Sequence, residues 1–263
     1  ITENLNELKN IISNSKLKKF VVSSENFPGE KKEEIEYIKK LFKGVCNIKI
    51  IVYLRRQDTY SWSWFAEKFK TDNINANIKD SVKEIYQSNL LNYEKLLEKW
   101  KNAFGQQNII VNIYPTTENI LIDFYKNIDV DIDLFEFEKL PRQNTSLQAE
   151  QVLLVEKMLP VIVGEKNEKI LVEEIRKPFD IKFTYTKSLL SPERRRKIIN
   201  DFEKYNNKVA NLYLNKKVLF EDDTIKDEET WCYPIIFQNG YIDEVLKSDK
   251  VSSELKNLIK NKL

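Results

Sequence analysis

Apolar positions recur at helical spacing over residues 1–16, where Leu5, Leu8, Ile11 and Ile12 share one face and Thr2 is placed to cap the start. Residues 20–22, Phe-Val-Val, replace that spacing with a short continuous apolar run, the pattern of a strand covered on both faces, and Pro28 and Gly29 then turn the chain. Ile35, Ile38, Leu41 and Phe42 return to one helical face. The apolar run 48–54 stops at Arg55 and Arg56, and the chain resumes as an aromatic, serine-bearing helix with Trp62, Trp64, Phe65 and Phe69 directed to a core rather than to a binding platform. From Ser81, whose SVKE start fits a capping box, one face runs through Leu90, Tyr93, Leu97, Trp100 and Phe104 to Gly105, which predicts a single long packing helix. Residues 108–114, NIIVNIY, form a third apolar run, and a helix with Ile120, Leu121 and Phe124 follows behind Thr116 or Thr117.

Strand and helix thus alternate, which predicts an α/β domain of three layers, with strands near 20–22, 48–54 and 108–114 parallel in one sheet and helices on both faces. The segment DVDIDLFEFE at 129–138 alternates acid and apolar residues at period two, as an edge strand does. Beyond Pro160 the rhythm fades. Residues 1–160 are therefore expected to form the α/β core and residues 161–263 a mainly helical region packed on it. In that region Ser191 and Pro192 open a helix in the favoured order of cap and first turn. Arg194, Arg195, Arg196 and Lys197 follow at once, as a solvated face or, more sharply, a surface for a polyanionic acceptor.

Composition narrows the chemistry. With 263 residues, 41% of them hydrophobic, the chain buries a substantial core, and 43 basic against 41 acidic residues leave no strong field for nucleic acid. There is no histidine, so His-dependent triads and HExxH zinc sites are excluded, and a general base must be Asp, Glu, Lys or Tyr. The two cysteines, Cys46 and Cys232, make neither a disulfide framework nor a CxxC site and suit a reducing compartment. No apolar run approaches the ~20 residues that span a bilayer, so a cytoplasmic protein without a membrane span is expected.

Candidate chemistry gathers at the end of the central run. Ligands of open α/β sheets sit beyond the carboxyl ends of the strands, where helix N-termini offer free N–H groups. A guanidinium at that point, followed eight residues later by the hydroxyl of Ser63, suits a phosphate. Pairing of Arg55 or Arg56 with a carboxylate at the sheet edge explains the spacing equally well. Glu25 lies where the first expected strand ends. Arg142, Asn144 and Ser146 sit in a polar loop suited to a phosphate contact or to a plain helix cap. Asp129 and Asp131 form a D-x-D pair of the kind that holds a metal–nucleotide complex, although here it follows a helix rather than a strand.

Four stretches, VVSSENF at 21–27, VYLRRQDTYSWSW at 52–64, NYEKLLEKWKNAFGQQNIIVNIYP at 92–115 and SPERRRKIINDFEKYNNKVANLYLNKKVLF at 191–220, resemble in sequence and order the bacterial sulfotransferases that use 3′-phosphoadenosine 5′-phosphosulfate, particularly those of capsule and lipopolysaccharide genes. The resemblance implies a P-loop sulfotransferase fold, with Arg55 and Ser63 holding the 3′-phosphate of the cofactor. It also implies sulfuryl transfer to a hydroxyl of a glycan or small molecule without a metal; a carboxylate must then take the acceptor proton, and Glu25, at the end of the first expected strand, is the candidate base. The family's Gly-rich, Lys-bearing loop for the 5′-phosphosulfate has no counterpart among the five glycines here, so that loop is expected upstream of Ile1. Two other classes compete: a nucleotide-binding or assembly protein of the same fold without catalysis, and a metal-dependent glycosyltransferase using Asp129 and Asp131. Cofactor requirement separates the three.

Overall fold

The computed structural model describes residues 2–71, 78–114, 120–130, 147, 149–158, 170, 173–174, 189–220, 225 and 240–262. They form a mixed α/β chain, mostly helical, around a small parallel sheet. The helices α1 (Thr2–Asn14) and α2 (Lys32–Phe42) precede strand β1 (Ile50–Leu54); α3 (Gln57–Thr71), α4 (Ile78–Gln87) and α5 (Tyr93–Phe104) lead to strand β2 (Ile109–Ile113), and α6 (Ile120–Asn127) follows. Further helices cover Ala149–Met158, Pro192–Val209, Tyr241–Lys247 and Ser253–Lys262. None among the described residues is long and apolar enough to cross a membrane.

The chain divides into two compact units. The first comprises residues 1–55, 85–138 and 202–221; the second comprises 56–84, 139–201 and 222–263. The sheet belongs to the first. β1 and β2 pair in parallel with Ile50 opposite Ile109 and Leu54 opposite Ile113, as their near-continuous apolar sequences predict. Period-two alternation puts Ile50, Val52, Leu54, Ile109, Val111 and Ile113 on one face, and these pack with Ile35 of α2, Leu96, Leu97, Trp100 and Ala103 of α5, and Val209, Ala210 and Leu219. A single large-to-small change at Leu97, buried in this layer, is worth roughly 2–5 kcal/mol. The other face carries Tyr53 beside Asn112, and α6 meets it through Asp123, whose carboxylate accepts from the Tyr53 hydroxyl at 2.6 Å. Burial first, and then the Asp123 carboxylate, push the Tyr53 phenol well above its ordinary range.

In the second unit Trp62, Phe65 and Phe69 are buried in a chain of ring contacts 5.6 and 5.7 Å between centroids, the core role their spacing predicts. The helix Ala149–Met158 is buried along nearly its whole length, including Glu150 and Gln151.

Two predicted elements are corrected. Residues 20–22 form no strand: Val21 and Val22 are 55% and 50% exposed, so the run is not buried on both faces, and three residues offer few ladder bonds to compensate. The single helix expected from Ser81 to Phe104 is two helices, and Ser81 lies inside the first rather than at its cap. Asn89 takes a left-handed backbone with φ 61°, and Asn92 caps the new helix by accepting from the Lys95 N–H at 3.1 Å. Short polar side chains that bond their own backbone break a helix that the apolar face alone would continue. Gly105, at φ 85°, ends α5 as expected.

Candidate functional site

Arg55 follows the last residue of β1, and because the strands run parallel, the carboxyl ends of β1 and β2 lie at the same end of the sheet. Its backbone is fixed from behind. The hydroxyl of Tyr93, a buried residue at the first position of α5, donates to the Arg55 carbonyl, and Tyr93 is placed there by the Asn92 cap. The guanidinium carbon of Arg55 lies 5.2 Å from the ring centroid of Tyr114, the residue after β2. Tyr114 is itself tied to β1 by its N–H, which donates to the Leu54 carbonyl at 2.8 Å.

Arg56 does something different. Its Nε donates to Oδ1 of Asp58 at 2.8 Å and its Nη2 to Oδ2 at 3.1 Å, while Arg195 Nε donates to the same Oδ2 at 2.9 Å. The pairing with a carboxylate that the sequence left open is thus realised at Arg56. Asp58 is 1% exposed and stands in the first turn of α3, where a carboxylate also opposes the positive end of the helix. Burial alone would raise its pKa; the hydrogen bonds and charges of Arg56 and Arg195 outweigh that and hold it below the usual range.

This corrects the reading of the basic run. Four successive helical residues sweep round the helix at about 100° each and cannot share one face. Arg194 and Lys197 are exposed, with Lys197 paired to Asp201, but Arg195 is buried against Asp58 and Arg196 donates to the Ile225 carbonyl at 3.0 Å. The helix itself begins as expected, with the Arg194 N–H donating to Ser191 Oγ at 3.2 Å and Pro192 in the first turn.

Glu25, in the first unit with Arg55, is exposed in a turn just before the 3₁₀ turn Phe27–Gly29. Lys99 of α5 holds that turn by donating to the carbonyls of Pro28 at 3.2 Å and Glu30 at 2.8 Å, and Phe27 meets the Trp100 ring edge-on at 6.1 Å. Ser63 belongs to the second unit, half-buried on α3. Arg142, Asn144 and Asp131 lie outside the described residues. Asp129 lies two residues beyond α6 in an exposed left-handed turn, φ 49°, where Lys19 donates to its carbonyl at 3.0 Å and stands 3.7 Å from its carboxylate. Among the described residues no group of three or more His, Cys, Asp or Glu side chains is placed to hold a metal ion.

Sequence reasoning missed Asp58, Arg195, Tyr93 and Tyr114. Asp58 was findable two residues after Arg56, in the first turn of the expected helix. The other three act across long separations, 137 residues between Asp58 and Arg195 and 38 between Arg55 and Tyr93, and left no local signal.

The chain is similar to an uncharacterized protein of Archaeoglobus fulgidus, 26% identical over 218 residues that cover 81% of this chain. It spans little more than half, 58%, of the length of that relative. No family model and no solved structure matches it.

Proposed function

We propose that this protein is a sulfotransferase that moves a sulfuryl group from 3′-phosphoadenosine 5′-phosphosulfate to a hydroxyl of a carbohydrate or other cell-surface glycan precursor. The reaction takes place in the cytoplasm. The observation that carries this reading is the position of Arg55, at the carboxyl end of a strand in a parallel pair, with its carbonyl fixed by the buried Tyr93. The four stretches that resemble the sulfotransferases supply the rest. On that likeness Arg55 and Ser63 are the residues assigned to the 3′-phosphate and no metal takes part, while Arg142 and Asn144 belong to a polar loop suited to a phosphate contact.

Transfer is in line. The bond from sulfur to the bridging oxygen of the 5′-phosphate breaks as one forms to the acceptor oxygen, adenosine 3′,5′-bisphosphate leaves, and the acceptor proton passes to the carboxylate of Glu25. Positioning and charge stabilisation do most of the work, as in phosphoryl transfer. Glu25 suits the role of base by its place in a turn that Lys99 and Trp100 anchor, and by an exposure that leaves room for an acceptor. A second reading is a nucleotide-binding protein of the same fold without turnover.

Calorimetry on the full-length protein tests the reading. Adenosine 3′,5′-bisphosphate should bind more tightly than adenosine 5′-monophosphate, and Arg55→Ala should remove about 2–5 kcal/mol of that binding, as truncating one partner of a desolvated charge pair does. Equal binding of the two nucleotides by the wild type would overturn the assignment. Bisphosphate binding without sulfuryl transfer to any hydroxyl acceptor would select the non-catalytic reading.

A further inference from the structure

We infer that Tyr114 is a positioning residue for the anion site at Arg55, holding the guanidinium ready at the carboxyl end of the sheet before a ligand arrives. The inference rests on the proposed role of Arg55 as the group that reads the nucleotide's 3′-phosphate. Tyr114 is 43% exposed, so burial of its ring gains little for the core and does not by itself account for a large aromatic at this position. What the ring does contact is the guanidinium of Arg55, at 5.2 Å from the centroid, inside the range over which a cation is drawn to an aromatic face.

Both backbones are fixed, which gives the contact its consequence. The N–H of Tyr114 donates to the carbonyl of Leu54 at 2.8 Å, one step beyond the last pair of the β1–β2 ladder, and the carbonyl of Arg55 accepts from Tyr93. Each side chain therefore leaves from a defined point on adjacent strands. From these fixed points the ring contact bears on the rotamer of Arg55. An arginine that must be ordered on binding forfeits part of its rotamer entropy at that moment, whereas one already held over a ring has lost it in the folded protein, and the ligand sees higher affinity. Tyr114 acts through Arg55, without touching the nucleotide.

The test compares Tyr114→Leu and Tyr114→Phe in full-length protein by calorimetry with adenosine 3′,5′-bisphosphate and adenosine 5′-monophosphate. Leucine keeps apolar bulk without an aromatic face; phenylalanine keeps the face without the hydroxyl. Tyr114→Leu should lower the preference for the bisphosphate roughly fivefold, the size of a partly exposed cation–π contact, and leave monophosphate affinity unchanged. Tyr114→Phe should retain the preference to within about a factor of two, as expected when the ring rather than the hydroxyl makes the contact. In the double variant with Arg55→Ala, the leucine change should have no further effect. A full bisphosphate preference in Tyr114→Leu overturns the inference while leaving the reading of Arg55 in place. A wild type with no bisphosphate preference overturns the reading on which it rests. An equal loss of both nucleotides in Tyr114→Leu marks the ring as merely structural and also overturns the inference.

Discussion

Asp58 holds two arginines from positions 56 and 195 against one buried carboxylate, and the balance of forces there decides a stability prediction. Removing the charge from one side of a buried, hydrogen-bonded cluster takes the Asp58 carboxylate charge away from both guanidinium groups, so Asp58→Asn should lower stability by about 3–5 kcal/mol in denaturant unfolding. The pH dependence follows from the depressed pKa. In the unfolded chain the carboxyl titrates near about 3.9; the contribution of Asp58 is fully present above that value and is lost as pH falls through the lower, folded value. The wild type should therefore lose this stabilisation only below about pH 4, and the Asp58→Asn variant should lack that part of the acid limb. A variant as stable as the wild type at pH 7 would show that the cluster contributes nothing net. Half of the cluster was legible: Arg56 and Asp58 are close in sequence, and an arginine at a strand end suits a carboxylate as well as a phosphate. Arg195 was hidden because its run of basic neighbours suggests a surface, and only the helical rotation separates it from them.

Strands β1 and β2 were legible because a parallel strand covered on both faces leaves a continuous apolar signature, and Gly105 and Ser191–Pro192 marked helix ends through backbone chemistry that operates locally. The run at 20–22 carries the same signature over too few residues to decide anything, and its exposed valines show that composition without a covering layer does not make a strand. The break between α4 and α5 was written in Asn89 and Asn92, but an apolar face that continues across both residues outweighed it in the reading. Asn112 is the one polar side chain in β2, and its Nδ2 is buried without a hydrogen-bond partner among the described residues. An unsatisfied donor of that kind costs about 1–3 kcal/mol, and a β-branched residue fits a pleated strand better than Asn. Asn112→Val should therefore raise stability by about 1 kcal/mol, or Tm by roughly 2–4 °C in a molecule of this size. Thermal unfolding followed by far-ultraviolet circular dichroism measures it. A lower Tm would mean that Asn112 serves the Tyr53–Asp123 side of the sheet in a way that its own hydrogen bonds do not reveal.

At the scale of the whole molecule, neither unit is a continuous piece of chain: the backbone passes from one to the other after residues 55, 84, 138, 201 and 221. The strand–helix rhythm of the first 160 residues invites a division near Pro160, yet the core of the first unit draws on residues far beyond it. Val209, Ala210 and Leu219, all nearly inaccessible to solvent, pack in the layer formed by β1, β2, α2 and α5, and Tyr213, Leu214 and Phe220 lean on the same layer. The Gln106 side chain adds a 3.0 Å hydrogen bond to the Leu212 carbonyl, and Lys208 pairs with Glu94 at 2.8 Å. Burying each large apolar side chain is worth roughly 1.5–3 kcal/mol, so losing Val209 and Leu219 alone removes on the order of 3–6 kcal/mol. That is a large part of the roughly 5–15 kcal/mol by which a folded protein is stable. A fragment of residues 1–160 should accordingly fail to fold on its own, with enhanced binding of an apolar dye and no cooperative transition in urea. Adding residues 202–221 in trans as a peptide should restore protection if this packing is what the fragment lacks. A fragment 1–160 that unfolds in one sharp transition, with a urea dependence matching its size, would refute the dependence on the distant segment and establish the first 160 residues as a domain in their own right.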